Sequence, residues 1–109
     1  MQQFSPARRF ERHSVELSVV CGRNADRLAD RVVNISSGGA CVQTPVPLQP
    51  GTQHDFFFTV PDARFRDTVV AIPATVAWTR DNAMGLRFVG RSGGIDDYLH
   101  RLERSTNSF

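Results

Sequence analysis

Residues 15–35 read VELSVVCGRNADRLADRVVNI, and the folding of this stretch sets the architecture of the chain. Val15, Leu17, Val19 and Cys21 alternate with Glu16, Ser18 and Val20, so they share one face at the two-residue period of a half-buried strand. Gly22, Arg23, Asn24, Ala25 and Asp26 follow, a cluster of residues that turn a chain. From Arg27 to Ile35 a second strand resumes with less clean alternation. Two strands joined by a turn near Asn24 form an antiparallel hairpin. Hairpin geometry then reaches far from the turn: residues near position 12 and near position 34 meet at its open end.

Outward from the hairpin, NISSGG (34–39) breaks the second strand and ACVQT (40–44) starts a third. PVPLQPG (45–51) is a loop, with three prolines and a closing Gly. HDFFFTV (54–60) is a strand with Phe56, Phe58 and Val60 on one face; Phe57 points the other way and is expected beneath a helix. PDARFRD (61–67) turns, and TVVAIPATVAWTR (68–80) is a long strand whose Pro73 predicts an edge position or a bulge. On that strand Trp78 shares a face with Val76 and is expected in the core, the alternative being a contact to a ligand at the barrel mouth. DNAMG (81–85) turns and LRFVG (86–90) closes the set.

The last segment changes period. Ile95, Leu99 and Leu102, with Tyr98 beside them, form the stripe of an amphipathic helix, with Asp96 and Asp97 at its start and Arg101 and Arg104 at its end. The predicted fold is all-β: a six-stranded antiparallel Greek-key-type β-barrel with a C-terminal α-helix packed on it. A closed barrel removes the exposed edges that six short strands otherwise leave. Residues 1–7 are expected to be a flexible N-terminal arm, 8–104 a single domain, and 105–109 a disordered tail.

The chain has 109 residues, enough for one domain with a real core. Its net charge of +2 does not point to DNA or RNA as a partner. All 13 basic residues are Arg, so every cation is a planar fork able to stack on a ring or grip a phosphate or guanine with two hydrogen bonds. Cys21 and Cys41 have no partner at metal-ligand spacing, and both are expected as small core residues in a reducing compartment. His13, His54 and His100 suggest neither a metal nor a triad and are expected at the surface. No cofactor, metal site or catalytic residue is expected, and the chain is not expected to be an enzyme. The longest charge-free apolar stretch is too short to span a bilayer as a helix, so no membrane insertion is expected and a cytoplasmic location is.

The open end of the first hairpin gathers the chemistry. Arg8, Arg9 and Arg12 stand opposite Asn34, Ser36 and Gly39. Arg donates two bonds to guanine O6 and N7, Asn and Ser offer a carbonyl and a hydroxyl to the remaining base edge, and Gly lets backbone approach closely. A guanine nucleotide with few phosphates suits these parts, and the absence of a GxxxxGK[ST] loop argues against a GTPase. The chain resembles the PilZ domain family, the bacterial receptor module for cyclic di-GMP. The family's RxxxR motif stands here as Arg8-Arg9-Phe10-Glu11-Arg12, and its [D/N]xSxxG motif as Asn34-Ile35-Ser36-Ser37-Gly38-Gly39. VAW, MGLRF and a terminal helix match later landmarks, so the resemblance covers roughly residues 8–104. RxxxR alone carries little weight, because it occurs four times, at 8/12, 23/27, 27/31 and 87/91; the Asn-x-Ser-x-x-Gly half is the rarer.

The resemblance implies that Arg8 and Arg12 bind guanine and phosphate groups, that Asn34 and Ser36 bind a base edge, and that Gly39 permits the close turn; Arg9 is an accessory contact. It implies cyclic di-GMP as ligand and an unidentified effector protein as partner, with motility, biofilm or polysaccharide production as output. The Arg-rich arm is expected to close over the nucleotide and so change the surface shown to that partner. The alternative is an adaptor of the same fold that ignores the nucleotide. Where the family often has Asp, this chain has the uncharged Asn34, a weaker acceptor for guanine N–H groups.

Overall fold

A computed structural model describes residues 12–22 and 29–106 of the chain. Arg8, Arg9, the expected arm and the turn near Asn24 lie outside the described residues. The elements are β1 (His13–Cys21), β2 (Asp30–Ile35), β3 (Gly39–Gln43), β4 (Gln53–Pro61), β5 (Asp67–Arg80), β6 (Ala83–Phe88) and α1 (Gly93–Thr106). Thus α1 extends into the stretch expected to be a tail.

The six strands close into one antiparallel barrel in the order β1-β2-β3-β6-β5-β4. The hairpin-linked meander β4-β5-β6 lies beside β3, and the β3–β4 connection crosses to the far side of it, which is the Greek-key arrangement. Alternation fills the interior. Phe56, Phe58 and Val60 of β4, Ile72, Ala74 and Val76 of β5, and Met84, Leu86 and Phe88 of β6 are all buried. Phe58 and Phe88 meet edge-to-face with ring centroids 5.7 Å apart.

The helix joins this core through Ile95, Tyr98 and Leu99, all buried. Ser92 caps it: the Ile95 N–H donates to the Ser92 hydroxyl and the Asp96 N–H to the Ser92 carbonyl. Arg101 fastens it to the barrel, donating to the Pro61 carbonyl at the end of β4 and to Asp97 one turn back. Burial raises the Tyr98 hydroxyl above its ordinary pKa, and the charge of Arg101 partly opposes that rise. His13, expected at the surface, is largely covered, and its Nε2 lies 3.6 Å from Glu103 on α1.

Pro73 is neither at an edge nor in a bulge. It pairs with Asp55 in the middle of β5, and a closed barrel has no edge. Its carbonyl accepts the Val89 N–H, so its nitrogen faces the same way, just past the end of β6. The missing N–H therefore falls where the ladder has already stopped. Phe57 stands on the outer face with its ring beside Gly22.

The register shifts at three places: between Ser14 and Leu17 against β2, where β1 keeps its alternation, and at bulges between Val32 and Asn34 against β3 and between Val76 and Trp78 against β6, where the alternation reverses. A one-residue bulge turns everything after it to the opposite face. Val32 and Ile35 are consequently both buried, and Asn34 between them points outward. Trp78 moves outward in the same way and is 43% exposed, which overturns its expected place in the core beside Val76.

Candidate functional site

Register across the barrel wall assembles one row of outward residues. Ser14 faces Asn34, Asn34 faces Cys41, Cys41 faces Gly85, and Gly85 faces Trp78. The row crosses β1, β2, β3, β6 and β5 in turn. Two of its members, Asn34 and Trp78, are present only because bulges turned them out of the interior.

The expected meeting at the open end of the hairpin is present. His13 pairs with Ile35, and Arg12, the residue before β1, donates from Nη1 to Asn34 Oδ1 at 3.0 Å. The two motifs thus touch through a guanidinium and an amide side chain.

Ser36 has a different immediate partner from a base edge. It is only 3% exposed. Its hydroxyl accepts the Gly38 N–H at 3.2 Å and donates to the Gly39 carbonyl at 3.4 Å, while its own N–H donates to that same carbonyl at 2.8 Å. Ser36 therefore shapes the β2–β3 turn. Gly39 is required by packing: a Cβ there would lie 2.0 Å from the Leu86 carbonyl oxygen of β6. Its backbone does not need the left-handed region, since the positive-φ glycines among the described residues are Gly51 and Gly90. Gly85 plays a parallel part, because a Cβ there would lie 2.1 Å from Trp78 Nε1; its absence lets the indole lie against the barrel wall.

These residues bound a cleft of about 720 Å³, lined by Arg12, Ser36 to Cys41, Ala77, Trp78, Gly85 to Phe88, Gly90 and Arg91. Three arginines line it, and none of its described lining residues is acidic. An exposed indole, a floor of small residues and a cationic rim suit a flat base carrying negative charge. A second cleft of similar volume carries Glu16 and Asp30 with Arg31, a poorer match for an anion.

Cys41 corrects an expectation. Cys21 is buried, but Cys41 is a half-exposed free thiol on the cleft floor, because Ala40 and Val42 take the inward positions of β3. Arg87 and Arg91 were not expected at the site. Their RxxxR spacing resembled a chance recurrence, although Arg87 stands between inward Leu86 and Phe88 and so had to face out. Among the described residues no group of His, Cys, Asp or Glu is placed to hold a metal ion, and no helix is long and apolar enough to cross a membrane.

A family model described as PilZ domain matches residues 6–104. No curated protein matches the chain. Among solved structures, the Bacillus subtilis inhibitor of motility MotI/DgrA superposes with a TM-score of 0.74 at 17% identity, covering 99% of this chain and 54% of that one. The chain therefore spans about half the length of that protein. The PilZ domain of CeSA from a cellulose-synthesizing bacterium superposes with a TM-score of 0.56 at 15% identity, covering 84% of this chain and 93% of that one.

Proposed function

The chain belongs to the PilZ domain family, a family of cyclic di-GMP receptors, and we propose that it binds cyclic di-GMP in the cleft between Arg12 and Trp78. The observation that carries this reading is the contact of Arg12, which lines that cleft, with Asn34 on β2 beside it. The pair is a latch. Arg12 opens toward guanine O6 and N7 or a phosphate oxygen, and the freed Asn34 carbonyl accepts a guanine N–H. Trp78 offers an aromatic face for stacking. Ser36 and Gly39 act by shape, holding the turn and the close β3–β6 approach that form the floor.

Arg8 and Arg9 precede Arg12 in the chain and add their guanidinium groups as the N-terminal arm closes over the nucleotide. The protein performs no chemistry on its ligand; occupancy alters the surface offered to an effector protein. Two of the solved structures it resembles are an inhibitor of motility and a PilZ domain from a cellulose-synthesizing bacterium, which supports motility or polysaccharide production as the output. A micromolar Kd corresponds to about −8 kcal/mol, within reach of a few Arg–guanine contacts and stacked bases after ordering costs.

Calorimetric titration with cyclic di-GMP is the test, with fluorescence of the single Trp as a second signal. Saturable heat together with a change in Trp78 emission is expected. Absence of both at about 100 μM ligand, a concentration well above a micromolar Kd, defeats the reading and favours an adaptor that ignores the nucleotide.

A further inference from the structure

The family motifs account for one rim of the cleft. The other rim is also cationic, and nothing yet described gives it a role. Arg87 lies on β6 and Arg91 follows the turn at Gly90, which has a φ of 80°. Both line the cleft. Arg87 pairs across the ladder with Gly39, whereas Asn34, which holds Arg12, lies on β2. Two strand spacings separate β2 from β6, about 10 Å at the usual distance between strands. One ligand spanning the β3 floor would therefore meet arginine on both sides.

Arg91 is held in a way that leaves it available. Its Nε and Nη2 both donate to Asp96 Oδ2, at 3.1 and 2.8 Å. The pair is exposed, with side-chain accessibilities of 77% for Arg91 and 30% for Asp96, so water replaces either partner at little cost. Asp96 also sits in the first turn of α1, where the helix dipole favours its charge with or without Arg91. A phosphodiester in the cleft offers the planar guanidinium two acceptor oxygens, one for each N–H, whereas Asp96 takes both bonds on a single oxygen.

We infer that Arg87 and Arg91 form a second phosphate-gripping pair facing Arg12, and that Arg91 exchanges Asp96 for a phosphate oxygen of the nucleotide when the cleft fills. This rests on the cleft being the cyclic di-GMP site. It also links occupancy to the helix, since the exchange releases Asp96 at the start of α1.

The two members of the ion pair give opposite signs. In calorimetric titrations of the full chain with cyclic di-GMP, Arg91→Ala and Arg87→Ala each weaken binding about tenfold, the loss of one charge-assisted contact. Asp96→Asn tightens it about threefold, because Arg91 no longer has a competing carboxylate. The double variant Arg91→Ala/Asp96→Asn matches Arg91→Ala alone, and thermal melts of the free variants verify that each is folded. Wild-type affinity in both Arg91→Ala and Asp96→Asn overturns the exchange and leaves the proposed ligand standing. Weakened binding in Asp96→Asn also overturns it, since Asp96 would then help the ligand instead of competing with it. A wild-type chain that gives no heat overturns the ligand and the exchange together.

Discussion

Arg12 and Asn34 do what their residue types allow: a guanidinium donates and an amide oxygen accepts. Arg12→Ala and Asn34→Ala should each cost roughly 1–3 kcal/mol of cyclic di-GMP affinity, about 5- to 150-fold in Kd by calorimetry, with little change in melting temperature. Ser36→Ala should show the reverse balance. Its buried hydroxyl serves the turn, so the expected loss is about 1 kcal/mol of folding stability by urea titration, with affinity following only as far as the turn loosens. Tyr98 supplies a pH dependence. Its hydroxyl is neutral in both states below pH about 10; above that the unfolded chain ionises first, since burial has raised the folded-state pKa. Stability should therefore fall as pH climbs past about 10, and Tyr98→Phe should flatten that decline in melts measured across the alkaline range.

At the scale of elements, two glycines that look alike in sequence have different neighbours. A Cβ at Gly39 strikes the backbone carbonyl of Leu86, which cannot move without parting β3 from β6, so Gly39→Ala should cost about 3 kcal/mol or more in urea titration. A Cβ at Gly85 strikes the exposed indole of Trp78, which can swing away. Gly85→Ala should therefore fold, shift the Trp emission and weaken the ligand. The β4–β5 hairpin carries a local conflict as well. Asp62 ties its tip by accepting the Arg64 and Arg66 N–H groups, and this holds Phe65 at a φ of 63° with 89% of its surface exposed. A bulky residue gains nothing from that conformation, and Asn tolerates it better. Phe65→Asn should keep or raise the melting temperature.

For the whole molecule, the cleft is a product of closure. Its lining is drawn from β3, β5 and β6, from the β2–β3 turn and from Arg12 before β1, and its second arginine rim is Arg87 on β6 with Arg91 beyond it. Cys41 on its floor is a built-in reporter: cyclic di-GMP should slow its reaction with a thiol reagent, while Cys21 stays buried and slow with or without ligand. Equal rates at Cys41 with and without ligand would place the nucleotide elsewhere.

The strands, the helix stripe and the meeting of Arg12 with Asn34 were legible in the chain, because period and turn residues are local properties and a hairpin of two similar strands has one open end. The Asn-x-Ser-x-x-Gly pattern marked the right corner and gave Gly39 a place in the close turn, although it assigned Ser36 to a base edge instead of to the turn and did not reveal how tightly Gly39 packs on β6. Such reasoning could not place Trp78, Cys41 or Arg91 at the cleft, whereas Arg87, between Leu86 and Phe88, was legible as an outward residue. Strict alternation places Trp78 with Val76 inside and would likewise place Asn34 with Val32 inside; both lie outside because bulges at Ala77 and Val33 slip the register by one. The sequence by itself determined which segments become strands and which faces they prefer. Only the tertiary structure decided where those faces reverse, because register belongs to a pair of strands and no strand's own period contains it.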